Sequence, residues 1–257
     1  MLDNCLQSIK PKGGEIKMKL YKLTKQDIST YGGFTFELGK KHIKKKIKNP
    51  ELCSSDVFHA YGDINLAFLL NPIHADIKNP RLFAAKGKIV VRDFGKVGCF
   101  DFKLVREIKY PKWVGSDIDT KVRLYFALLC AKEVLPIFEK EFPDDERPRK
   151  AIEAAQKVLE NDTEENRQAA AKAAEAAEAA ADAADAAWAA GAAAKAAEWV
   201  AARTAWEAWA VGAAWAAGAA AKAAGAEKIN FSEIAKKAIK LATKKRRERC
   251  KCQKSIK

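Results

Sequence analysis

The chain has 257 residues, 49% hydrophobic and 31% charged, enough for one large or two modest domains that each bury a core. Its formal net charge of +14 is uneven: about +9 over 1–120, about −4 over 121–226 and about +9 over 227–257. Six cysteines without framework spacing speak against a disulfide scaffold. Ala208–Ala221, the longest uncharged run of the alanine-rich part, has 14 residues, short of the ~18–20 of a membrane span. Met1–Ile16 lacks an apolar signal region, so a reducing cytoplasm is expected and no membrane is assigned.

In chain order, residues 1–15 read as a flexible lead-in. Ile16–Leu23 alternates apolar and basic side chains, the period-2 pattern of a half-buried strand. Tyr31–Gly39 reads as a turn into a second short strand, and His42–Lys48 as a basic loop or exposed strand. Asp63–Leu70 predicts a helix capped by Asp63 and stopped before Asn71-Pro72. Arg81–Val91 and Phe100–Ile108 alternate again and predict a hairpin or adjacent strands.

The character changes around Pro111–Gly115. Lys121–Phe142 carries a helical stripe of Leu124, Leu128, Cys130, Val134, Leu135 and Phe138, with Pro136 expected to kink or break it. Asp145 is placed to cap a third helix with Pro148 in its first turn, ending near Glu160. Asp162 with Glu165 forms a variant capping box for the next one. From Ala169 to Ala226, 36 of 58 residues are alanine, the strongest helix former. Glu175, Glu178, Asp182 and Asp185 fall within about 80° of a helical wheel and form a solvated face. Gly191, Gly212, Gly218 and Gly225 are the expected breaks between antiparallel helices. Glu227–Ala242 reads as a final amphipathic helix through Ile229, Ile234, Ala238 and Leu241, and 244–257 as a mobile basic tail.

Two resemblances overlie this reading. Leu128-Leu-Cys-Ala131, Val134–Glu139 and above all Phe142-Pro-Asp-Asp-Glu-Arg-Pro-Arg-Lys-Ala-Ile-Glu-Ala154 lead into the alanine-rich helices. With these, residues 121–225 resemble an immunity protein family similar to polymorphic-toxin immunity proteins. The chain departs from that family in having no histidine after its glycines. Residues 31–108 resemble a small phage and prophage domain of unknown function. The shared features are Gly33–Gly39, Leu52-Cys53 with Phe58-His59-Ala60, and Ala85-x-Gly87-x-Ile89. The resemblances imply an interaction protein and bring no established reaction.

Candidate sites follow residue by residue. Cys53, His59 and His74 are too widely spaced for a typical zinc site, and Cys250-x-Cys252 fits neither a zinc knuckle nor a redox pair, so no metal or cofactor is assigned. Asp144, Asp145, Arg147 and Arg149 form either a recognition patch or helix-terminal charges. Trp199, Trp206 and Trp209 are either wedges between alanine helices or interface anchors. Lys44, Lys45 and Lys46, with Lys244, Lys245, Arg246 and Arg247, are charge runs compatible with nucleic-acid phosphates.

The expected fold is an α+β N-terminal domain (basic, 16–115) followed by an all-α, alanine-rich helical bundle (116–243) and the tail. The expected function is non-enzymatic: an immunity-like inhibitor, phage-encoded or acting in counter-defence, that occludes an unidentified protein partner. The alternative is a nucleic-acid-associated protein using the basic domain and tail. An enzyme using His59, Tyr61 and Glu107 is a third reading, with no catalytic residue assigned.

Overall fold

A computed structural model describes residues 19–52, 54–93, 95–182 and 229–254. The expectations placed on Asp185, on the four glycines from Gly191 to Gly225 and on Trp199, Trp206 and Trp209 lie outside the described residues. The chain divides into two compact units, Met1–Pro111 and Lys112–Lys257, at the stretch where the composition changes.

The first unit is a small barrel of strands β1 (Leu20–Thr24), β2 (Lys41–Ile43), β3 (Phe58–Tyr61), β4 (Arg81–Arg92) and β5 (Lys96–Glu107), with helix α1 (Ile64–His74) after β3. The sheet order is β2-β5-β3-β1-β4, and a further antiparallel pairing of β4 with β5 closes it. Closure gives every strand but β2 at least two neighbours, which removes edges that would otherwise leave backbone groups unpaired. The β4–β5 hairpin forms as its alternation predicts, with three register irregularities bending the long strands around the barrel. Leu20, Phe36, Phe58, Ala60, Phe83, Ala85, Val97, Cys99, Phe102 and Leu104 fill the interior. Gly87 is obligatory there. A Cβ on it would lie 2.7 Å from the Asp101 carbonyl oxygen and 3.0 Å from Cys99 Sγ.

Three local readings change. Tyr31–Gly39 contains no strand, because Gly33 and Gly39 both take φ of +81° and turn the chain. Phe36 from this segment plugs the barrel, and the exposed strand falls at β2 instead. Strand β3 goes beyond what its four residues announce, although Phe58 and Ala60 point in while His59 and Tyr61 point out. Helix α1 runs through Pro72 to His74. Pro72 lies in its last turn, where the lost N–H costs a single ladder bond, and Asn71 closes the end. The Asn71 carbonyl accepts from Ala75 and Asp76, while its side chain donates to the Ile77 carbonyl at 3.0 Å and accepts from the Ile77 N–H at 3.2 Å. At the other end Asp63 Oδ1 accepts from Asn65 N–H at 2.7 Å. Asp63→Ala should lower barrel stability by about 1 kcal/mol in a denaturant melt, the usual cost of losing an N-cap; no loss would mean that Asp63 does not hold the helix start.

The second unit is helical where described: α2 (Asp119–Glu141), α3 (Arg147–Glu160), α4 (Glu164–Asp182) and α5 (Phe231–Lys254). Every residue of the predicted α2 stripe is buried. Pro136 does not end the helix, since burial of Val134, Leu135 and Phe138 on either side outweighs one missing bond. Helix α3 packs on α2 and α4 through Ala151, Ile152, Ala155, Val158 and Leu159, and α4 contributes Ala170, Ala174 and Ala177. The start of α4 is capped by Thr163, not Asp162: Thr163 Oγ1 accepts from Asn166 N–H at 3.2 Å, while Asp162 is taken by Arg167 at 2.9 Å. Helix α5 buries Phe231, Ile234, Ala235, Ala238 and Ala242 in its first half, with Ile229 buried just before it, and lies along α2, with the Phe126 and Phe231 rings 6.2 Å apart. The segment expected as a mobile tail is helical through Lys254.

Candidate functional site

The corner between α2 and α3 is built by a short charged sequence with a definite local logic. Phe142 closes α2 by donating its N–H to the Phe138 carbonyl at 2.8 Å, and its ring rests 5.1 Å from that of Phe138. Pro143 cannot continue the helical ladder, so the chain turns. Asp145 then accepts the Arg147 N–H at 3.0 Å and grips the Arg147 guanidinium twice, at 2.9 Å from Nε and 2.6 Å from Nη2. It starts α3 from one position before the geometric cap, Glu146. Pro148 is buried in the first turn. Arg149 reaches back to Glu139 at 2.5 Å and ties α3 to the last turns of α2, and Lys150 pairs with Glu146 at 2.8 Å.

These contacts sort the charges. The Arg147 side chain holds the Asp145 carboxyl below the usual carboxylate range, and Lys150 does the same for Glu146. The corner encloses an open concavity of about 620 Å³ lined by Glu141 through Arg147 with Lys150. Its two cations are thus engaged by two of its four carboxylates. Glu141 and Asp144 remain, both exposed and in no ion pair among the described residues. The concavity therefore combines two carboxylates outside any ion pair with Phe142 and Pro143, a lining suited to a basic side chain with an apolar stem. Of the residues expected in a recognition patch, Asp144 and Asp145 line it. Arg147 lines it as the partner of Asp145, and Arg149 lies outside the lining, paired with Glu139.

The other candidates fall elsewhere. Lys45 and Lys46 are exposed in the loop after β2. Lys44 lies 5.0 Å over the Phe58 ring and donates to the Ser55 carbonyl. On α5, Lys244 is exposed and Arg246 pairs with Asp117 at 3.0 Å; the side chains of Lys245 and Arg247 lie outside the description. His59 and Tyr61 do not gather with Glu107. They pair with Gly98 and Lys96, which lie 9 and 11 positions from Glu107 along β5, roughly 30 and 36 Å at ~3.3 Å per residue. Glu107 is held by Arg81 at 2.6 Å. Tyr61 OH instead meets His74 Nδ1 at 3.0 Å, with the rings stacked at 5.7 Å, and His59 Nε2 bonds the Leu52 carbonyl. Burial drives His59 down to about 4 and His74 to about 3, and raises the Tyr61 phenol. Among the described residues no three His, Cys, Asp or Glu are placed to hold a metal ion, and no helix is long and apolar enough to cross a membrane.

A buried charged pair holds the start of α2 and has a signal in the sequence. Arg123, 4% exposed, donates from Nε to Asp119 Oδ1 at 2.7 Å and lies 5.5 Å over the Trp113 ring. The i,i+4 spacing of an acid and an arginine is its signal.

No curated protein and no solved structure matches the chain. A family model does match, described as Imm-5 like putative immunity protein, and it covers residues 117–253, from the start of α2 through the α2–α3 corner to the last turn of α5. Those residues are more than half of the chain, and the chain belongs to the Imm-5 like putative immunity protein family.

Proposed function

We propose that the chain is a non-enzymatic immunity protein that binds a partner protein through the α2–α3 corner and inhibits it by occlusion. A cytoplasmic, phage-borne inhibitor acting in counter-defence fits this reading. The observation that carries it is the concavity within the family-matched region, with Glu141 and Asp144 exposed in its lining while Asp145 and Glu146 are neutralised in place. A partner presenting a lysine or arginine would gain a charge-assisted contact there without breaking any ion pair of the corner.

The test uses the full chain as bait in host lysate beside a Glu141→Lys/Asp144→Lys variant of unchanged melting temperature. One protein should be retained by the parent and weakened at least about tenfold by the reversal, since truncating or reversing a desolvated interfacial charge typically costs 2 kcal/mol or more. Inhibition of the purified partner should saturate at one equivalent. Substoichiometric inactivation would show turnover and sink the occlusion mechanism, and retention equal in the two baits would move the interface off the corner.

A further inference from the structure

Strand β2 pairs with β5 alone, so among the described residues one of its edges is open. The ladder fixes which peptide groups face that edge. Lys44 donates its N–H to the Phe100 carbonyl at 2.8 Å, in register with the Lys41–Lys103, His42–Phe102 and Ile43–Asp101 pairs. Peptide groups alternate between the two sides of an antiparallel strand. His42 and Lys44 therefore bond to β5, while Lys41 and Ile43 turn their N–H and C=O groups to the open side. Neither backbone finds a partner there among the described residues. An unpaired edge is a template for another strand, and natural folds guard such edges with short length and with lysines. Both guards are present: β2 has 3 residues, and Lys40, Lys44, Lys45 and Lys46 flank Lys41–Ile43.

The guard is selective. Of the two carboxylates nearest the edge, Glu37 is held by Lys40 at 2.5 Å and Asp101, opposite Ile43, by Lys41 at 2.8 Å. Lys45 and Lys46 follow the strand directly, exposed and in no ion pair among the described residues. A second copy of the chain meets lysine with lysine in each antiparallel register that uses the open groups of Lys41 and Ile43. Lys44 faces Lys40 when Lys41 meets Ile43, Lys41 faces Lys45 when Ile43 meets Ile43, and the remaining register sets Lys41 against itself. Like charges directly opposed across strands are destabilising, and opposite charges stabilise. An acidic strand turns the same lysines into an attraction, and Ile43, 69% exposed, gives it an apolar neighbour. Nucleic acid would meet the charge but leave the open peptide groups and Ile43 unused.

We infer that the open edge of β2 takes up an extended acidic segment of a partner protein as an added strand, antiparallel to β2. Lys41 and Ile43 exchange backbone hydrogen bonds with it, an apolar residue of the segment packs beside Ile43, and its carboxylates fall at Lys45 and Lys46. The edge lies outside the family-matched region, so the inference stands apart from the α2–α3 corner.

The probe is a labelled peptide of about ten residues, glutamates in its first half and alternating valine and threonine in its second, titrated into the full chain by fluorescence anisotropy. Antiparallel addition sets its glutamates against Lys45 and Lys46. At saturation the amide protons of Lys41 and Ile43 should exchange about tenfold more slowly or less, and that of Lys44, already bonded to β5, should change far less. Ile43→Pro removes an outward N–H where an edge strand tolerates proline, keeps the ladder to β5, and should weaken binding about tenfold or more. K45E/K46E should weaken it about as much, and K25E/K109E, at the Arg81 end of β4, less than about twofold. The same peptide N-methylated on alternate amides cannot complete the ladder and should bind at least about tenfold more weakly, a result that does not depend on how the chain tolerates proline. Absence of peptide binding overturns the inference. So does binding unchanged by N-methylation, or unchanged exchange at Lys41 and Ile43, either of which leaves charge alone. A dimer of the full chain that Ile43→Pro dissolves would assign the edge to a second copy instead. Oligo-dT that displaces the peptide and ignores Ile43→Pro would give the lysines to nucleic acid.

Discussion

Replacing Asp119 by alanine should destabilise the helical unit by about 3–5 kcal/mol, the cost of removing one member of a buried ion pair. Arg123 is 5% and Asp119 16% exposed at their side chains, so water cannot take over for the missing carboxylate. Asp119 also accepts the Gly115 N–H at 2.6 Å, which fixes the turn leading into α2. The guanidinium would keep its other contacts, Trp113 5.5 Å away among them, a contact worth ~0.5–2 kcal/mol, but would lose its buried carboxylate partner. Removing the charge as well should recover much of the loss, because an apolar pair of similar shape needs no desolvated ion. Denaturant melts of Asp119→Ala and of Asp119→Ala/Arg123→Met decide this: the double variant should be the more stable of the two. A single variant within about 1 kcal/mol of the parent, or a double variant worse than the single, would show that the pair does not anchor α2.

How far the sequence carried this structure depended on how local each cause was. The α2 stripe, the Asp63 cap and the β4–β5 hairpin were readable because a few neighbouring residues determine them. Gly33 and Gly39 were read as strand flanks, although their left-handed backbone is what prevents a strand there. Pro136 was overweighted: a missing hydrogen bond is visible in sequence, while the burial that outweighs it comes from α3 and α5. At the α2–α3 corner the acidic run was legible, but which of its carboxylates are neutralised was not, since that depends on rotamers reaching Arg147 and Lys150. The open edge of β2 was hidden, because which side of Lys41–Ile43 lacks a neighbour depends on where β5 is placed.

The barrel should also lose stability steeply as the pH falls from 7 to 5, by about 4 kcal/mol. His59 and His74 are both half-exposed at most and unable to take up a proton near the ordinary value of 6.5; burial is the main cause for each, and Lys96 adds to it. Lys22 and Lys44 further oppose a proton on His59, and His59 opposes one on His74. Above pH 7 both imidazoles are neutral whether the chain is folded or not, so they contribute no pH dependence. Below 6.5 the unfolded chain binds two protons that the folded barrel refuses until about pH 4 at His59 and about pH 3 at His74, so stability falls with pH across that window. At ~1.4 kcal/mol per pH unit for each group, the loss is about 2 kcal/mol apiece at pH 5. That pH is still above the range where Asp101 and Glu107, both held low by their cationic partners, would confuse the result. The variant Tyr61→Phe/His74→Phe removes one titrating group, preserves the stacked rings and leaves no hydroxyl stranded. It should lose about half of the pH dependence, roughly 2 kcal/mol between pH 7 and 5. Hydrogen exchange of peptides from β3, β4 and β5 under mild denaturant reads the barrel alone. A stability that stays flat to pH 5, or a double variant with the full pH dependence, would mean that these histidines are hydrated in solution and not shielded from it.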